Sequence, residues 1–140
     1  MVTYDPIVSV RSIGLNHVAM SVAPGTLSDA YRAQVLEFYG ALFGWREIEI
    51  LRLDDRMTLS VGGTTYVNIR ERDAAMTCSG YEHFGVVMPT PESVEDVWNQ
   101  VKDKGIDVSD LNRGDDGYLS LRFRHLLPLS VEVQYFPDPA

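Results

Sequence analysis

A chain of 140 residues is long enough to bury its own core and short enough to read as one domain spanning 1–140. With 12 basic against 20 acidic residues the formal charge is −8, which argues against nucleic acid or an anionic membrane surface as the partner. The single Cys78 excludes an internal disulfide, and neither a charged leader with an apolar run nor a stretch of about 18 apolar residues is seen, so the expected location is the cytoplasm.

Residues 1–13 hold a short apolar patch at 7–10, readable as an edge strand or a loose tail. Residues 15–22 (LNHVAMSV) form the first strand. Its alternation puts Asn16, Val18, Met20 and Val22 on a face that packs on a helix, and turns His17 away from that helix. A strong helical pattern follows over 27–43, with Thr26 or Ser28 as the cap and Gly44 as the stop. Three short strands are then expected at 46–51, 56–61 and 64–70, the last two joined by a tight turn at Gly62-Gly63. Small and polar residues at 73–80 make a linker.

The same order then repeats. Residues 81–88 (YEHFGVVM) are a strand with a histidine, His83, again in third position. Val94, Val97, Trp98 and Val101 stripe a helix over 92–104, followed by a weak strand at 106–111 and a turn at 112–117. Strands at 118–125 and 130–136 close the chain. The reading is a duplication, module one over about 13–72 and module two over about 80–137.

The last strand of each module adds chemistry. In SVEVQYF, Glu132 and Gln134 lie on the face opposite Val131, Val133 and Tyr135, and a strand glutamate among valines needs its charge compensated. Besides a metal ligand, Glu132 reads as a solvated strand residue or as a salt-bridge partner of Arg122 or Arg124. The matching strand of module one offers Asn68. His17, Asn68, His83 and Glu132 are thus expected on one concave surface. Two imidazoles and a carboxylate can hold a divalent transition metal with coordination positions left open, and ligand type allows Fe, Mn, Co, Ni or Zn. Asn68 is either a fourth oxygen donor, a substrate contact, or a residue bonded to nearby backbone. On the strand at 118–125, Tyr118, Arg122 and Arg124 share the face away from Leu119, Leu121 and Phe123. With Tyr66 and Arg70 they either line a cavity for an anionic small molecule or stand at a sheet edge in water. Cys78 has no visible activating base.

These stretches, together with FYGALFGW at 38–45, resemble the vicinal oxygen chelate superfamily, which includes the glyoxalase, bleomycin-resistance and extradiol dioxygenase families. The resemblance covers about 13–136 and implies an α+β fold, two tandem βαβββ modules forming a curved mixed sheet around a central cleft. It implies metal ligands at His17, His83 and Glu132, with the family's fourth ligand falling on Asn68 or Tyr66. The implied function is a divalent-metal-dependent enzyme of isomerase, lyase or dioxygenase type acting on a small oxygen-chelating substrate. The alternative it implies is a metal-free protein that sequesters a small molecule. The departure at Asn68 argues against glyoxalase activity, and His125 is the one further histidine an extradiol-type site has to draw on. Glu47, Glu49 and Glu82 are the spare carboxylates for a base. The resemblance also implies a homodimer.

Overall fold

Each module begins with a strand whose partner is the last strand of the same module. In the computed structural model, which describes residues 14–138, module one runs β1 (His17–Val22), α1 (Asp29–Phe43), β2 (Arg46–Glu47), β3 (Arg56–Gly62) and β4 (Thr65–Glu71). Module two runs β5 (His83–Val87), α2 (Pro91–Asp103), β6 (Asn112–Arg113), β7 (Leu119–Phe123) and β8 (Ser130–Tyr135). The apolar patch at 7–10 lies outside the described residues. The two sheets have equivalent orders, β1-β4-β3-β2 and β5-β8-β7-β6. In both, the first and last strands pair in parallel and the remaining pairs are antiparallel. The fold is α+β, with two βαβββ modules. It holds two separate four-stranded sheets, and among the described residues no ladder joins β1 to β5.

Local signals set the helix ends. Ser28 accepts the N–H of Tyr31 at the start of α1, and Gly44 ends it in the left-handed region, at φ 73°. Thr90 and Ser93 cap α2 reciprocally, with Pro91 at the first helical position. Two expected strands are corrected. At 46–51 only Arg46–Glu47 pairs, and Glu49–Leu51 coils into a 3-10 turn closed by the Leu51 and Arg52 N–H groups on the Ile48 and Glu49 carbonyls. At 106–111 only Val108 makes an isolated bridge, to Phe123, and the short edge strand comes later, at Asn112–Arg113. One backbone bond, from the Ser109 N–H to the Arg122 carbonyl, and side chains hold the earlier segment instead of a ladder. Trp98 Nε1 donates to the Ser109 carbonyl, and the Ser109 hydroxyl accepts the Arg122 N–H.

The β1 alternation holds as expected, with Met20 and Val22 buried and His17 exposed. Helix α1 carries one module onto the other. Phe38 and Tyr39 meet the Phe123 ring, and Trp45 meets Phe84. The Tyr31 and Tyr39 hydroxyls donate to the carbonyls of Leu126 and His125, each at 2.6 Å. Burial pushes the Tyr31 phenol up to about 12 and raises Tyr39 further. On the same helix the buried Arg32 guanidinium donates to the carbonyls of Leu27, Leu53, Asp54 and Arg56 and reaches Glu47 at 3.4 Å. These bonds pin the turn that leads into β3.

Candidate active site

The site builds on the face of the second sheet opposite the buried Val131 and Val133. Register sets Glu132 between Gly85 on β5 and Arg122 on β7. Gly85 gives the Gln134 amide its room, since a Cβ there would come 3.0 Å from Gln134 Oε1. Glu132 Oε2 lies 2.9 Å from His83 Nε2. A guanidinium nitrogen of Arg122 lies 3.3 Å from that same Nε2 and 3.4 Å from Oε2. Gln134 Nε2 donates to Glu132 Oε1 at 3.4 Å and to the Tyr118 hydroxyl at 3.0 Å. The Tyr118 proton is therefore left for another acceptor.

The His83 contact has a chemical consequence. Its Nδ1 is 2.6 Å from the Tyr81 carbonyl oxygen, which can only accept, so this network assigns the proton to Nδ1. With the proton on Nδ1, Nε2 faces the carboxylate oxygen either as a lone pair or as a second N–H donating to it. Two acceptors 2.9 Å apart require positive charge between or beside them, as a second ring proton, a cationic side chain or a metal ion. Arg122 adds a cationic donor beside the pair, 3.4 Å from Glu132 Oε2.

His17 occupies the equivalent position on the first sheet, with a similar orientation. Its Nδ1 is 2.7 Å from Asn16 Oδ1, leaving Nε2 as the outward atom. The ring stacks on Tyr66, its register partner, with centroids 4.7 Å apart and planes within 2°. Asn68 faces Ala19 across the ladder and accepts the Thr58 hydroxyl at 3.4 Å. Among the described residues, no group of three or more His, Cys, Asp or Glu is gathered to hold a metal. The expected ligands divide into His83 with Glu132 on one sheet, and His17 with Asn68 on the other.

Comparison with solved structures finds this architecture repeatedly. Lactoylglutathione lyase from Agrobacterium tumefaciens superposes with a TM-score of 0.63 at 20% identity, over 87% of this chain and 92% of that one. The fosfomycin resistance protein FosX from Listeria monocytogenes gives 0.66 at 18% identity, over 91% and 96%. A glyoxalase/bleomycin resistance protein/dioxygenase from Nocardioides gives 0.62 at 12% identity, over 96% and 92%. The fold is the vicinal oxygen chelate fold. Neither the protein-family models nor the curated proteins give a match to the sequence.

On this vicinal oxygen chelate scaffold the remaining candidates have definite places. Tyr118 and Arg122 stand with the His83–Glu132 pair. Tyr66 stands with His17. Arg70 is paired with Asp55 at 3.2 Å. Arg124 is exposed and lines a separate cavity of about 520 Å³ with Ser21, Thr26, Met76 and Leu127. Of the spare carboxylates, Glu47 is buried against Arg32 and Arg52, and Glu49 is in the 3-10 turn. Glu82 accepts from the Ser79 hydroxyl and N–H, which together hold it below the usual carboxylate range. Gln134 and the Tyr81 carbonyl were not singled out from the sequence. The signal for Gln134 was its position two residues beyond Glu132 on the same strand face. The carbonyl had no signal, because any residue type supplies one.

The donor chemistry fits a divalent transition metal as part of a ligand set. A carboxylate and an imidazole nitrogen whose tautomer is fixed by a backbone carbonyl are the groups such an ion takes. His83 and Glu132 would supply two such donors, and among the described residues no third His, Cys, Asp or Glu is gathered with them.

Proposed function

We propose that this protein is a metal-dependent enzyme acting on a small, oxygen-chelating, anionic substrate. It works as a homodimer in which His83 and Glu132 of one copy meet His17 of a second copy. The observation that carries the reading is the 2.9 Å contact between two metal-ligating groups, His83 Nε2 and Glu132 Oε2, with His83 Nδ1 already bonded to the Tyr81 carbonyl. Three further features support it. His17 also presents Nε2 outward, β1 and β5 are edge strands of their sheets, and apolar Leu15, Tyr81 and Val87 are exposed beside those edges. A two-fold dimer that sets β1 of one copy beside β5 of the other supplies the third ligand and covers these side chains.

A divalent ion held there acts as a Lewis acid on a substrate oxygen. The protein's own groups do the rest. Gln134 holds Glu132 in its orientation, and the Tyr81 carbonyl holds His83. The free Tyr118 proton and the Arg122 guanidinium donate to an anionic group of the substrate. Tyr66, stacked on His17, gives the opposite wall a flat apolar face, with Asn68 beside it as a neutral oxygen donor. The reaction is of isomerase, lyase or dioxygenase type. A second reading, a metal-free protein that sequesters a small anion, is favoured by one observation, the charge that Arg122 already gives the pair.

The test is metal content by mass spectrometry on untagged protein after a chelator wash and reconstitution. It uses wild type, His17→Ala, Glu132→Gln and a mixed dimer of the two variants. Wild type is expected to retain about one ion per chain and each variant to lose it. The mixed dimer regains one site, since its His17 and its Glu132 come from different chains. Wild type empty with Fe(II), Mn(II), Co(II), Ni(II) and Zn(II) refutes the metal reading in favour of sequestration. Metal retained in His17→Ala refutes the shared site.

A further inference from the structure

We propose that Arg122 is an internal competitor for the metal position. Its guanidinium holds the His83–Glu132 pair charge-balanced in the metal-free protein and must turn away for an ion to enter. The inference rests on the metal reading above. It starts from three distances among three groups: 2.9 Å from Nε2 to Oε2, and 3.3 and 3.4 Å from one guanidinium nitrogen to each. A metal bonded to His83 Nε2 and Glu132 Oε2 sits about 2.0–2.2 Å from each, beside the place the guanidinium nitrogen now occupies. Two cations beside one carboxylate repel strongly in a partly dry site.

Arg122 has somewhere to go. Its side chain is one-third exposed, its second terminal nitrogen reaches the Tyr81 carbonyl at 3.5 Å, and its carbon lies 5.9 Å from the centre of the Tyr81 ring. Turning toward that exposed ring leaves Glu132 free and presents the guanidinium to solvent, where an anionic ligand can hold it. Metal and anion then bind with positive coupling, each favouring the arginine position the other needs. Gln134 keeps Glu132 in place throughout, because its bond is to the other carboxylate oxygen, Oε1.

The experiment titrates Co(II) into the intact protein, read by visible absorption and calorimetry, for wild type, Arg122→Met and Arg122→Lys, with and without inorganic phosphate. Methionine keeps much of the length and removes the charge. Arg122→Met is expected to bind Co(II) roughly ten- to a hundredfold tighter, the range through which groups just outside a metal's ligand shell shift affinity. Arg122→Lys is expected to fall between it and wild type. Phosphate is expected to tighten Co(II) binding in wild type and leave Arg122→Met unchanged. Equal Co(II) affinity in wild type and Arg122→Met overturns the competition while the metal site stands. Weaker binding in a folded Arg122→Met, checked by circular dichroism, overturns it too, since the arginine then supports the ligands. Absence of Co(II) binding in all three proteins overturns both this proposal and the metal reading beneath it.

Discussion

Replacing Arg32 by Met tests whether a buried cation organises the approach to β3 through backbone carbonyls or through an ion pair. The side chain is 4% exposed, and four of its five hydrogen bonds go to carbonyls at both ends of the 27–56 stretch. Methionine fills much of the volume and leaves those oxygens without a charged donor. Hydrogen bonds to charged groups are worth about 1.5–3 kcal/mol each, but the Leu53 and Asp54 carbonyls belong to exposed residues and regain water. The expected loss is therefore about 3–5 kcal/mol, the cost of breaking a buried charged network, and a large fraction of the ~5–15 kcal/mol that a domain has. Glu47 keeps Arg52 as a partner at 3.2 Å, so Glu47→Gln is expected to cost only about 1–2 kcal/mol. Arg32→Lys is expected to lose nearly as much as Arg32→Met, because one ammonium cannot span four separated carbonyls. Urea unfolding at fixed protein concentration measures all three, with unchanged m-values as the check on two-state behaviour. A loss below about 1 kcal/mol for Arg32→Met, or equal losses for Arg32→Met and Glu47→Gln, refutes the carbonyl argument.

Two further outcomes follow from the join between modules. Tyr31→Phe and Tyr39→Phe each remove one hydroxyl donated to the 125–126 carbonyls and are expected to cost about 0.5–1.5 kcal/mol apiece, measured by urea unfolding. His125, against the Phe38 ring, is depressed from its ordinary 6.5, first by burial and then by Lys104. A depressed histidine leaves the unfolded chain the better proton acceptor, so its contribution is full above 6.5 and is lost as pH falls through 6.5 toward the folded value. Thermal melts of wild type and His125→Gln across that window check this, and the slope is expected to flatten in the variant. An unchanged slope assigns the pH dependence to other groups.

Much of the local structure was legible in the sequence. Ser28 and Gly44 bracket the first helix, and period-two alternation put His17 and Glu132 on faces away from the packed side. The two short edge segments were not, because neither has a strong period, and side-chain contacts from Trp98, Ser109 and Arg32 decide their paths. The sequence also could not say which candidates meet. Alternation fixes the face of a strand, but two separate sheets have no shared register, so the expected four-residue surface divides into His83 with Glu132 and His17 with Asn68. Arg122 read either as a wall residue or as a salt-bridge partner of Glu132, and the structure has that pair at 3.4 Å. Only the tertiary structure brings its guanidinium against both acceptors, because the β7–β8 register sets it opposite Glu132 while β5 delivers His83 from the other side. A duplicated pattern determined what each module is made of, and the pairing of strands decided which of its charges touch.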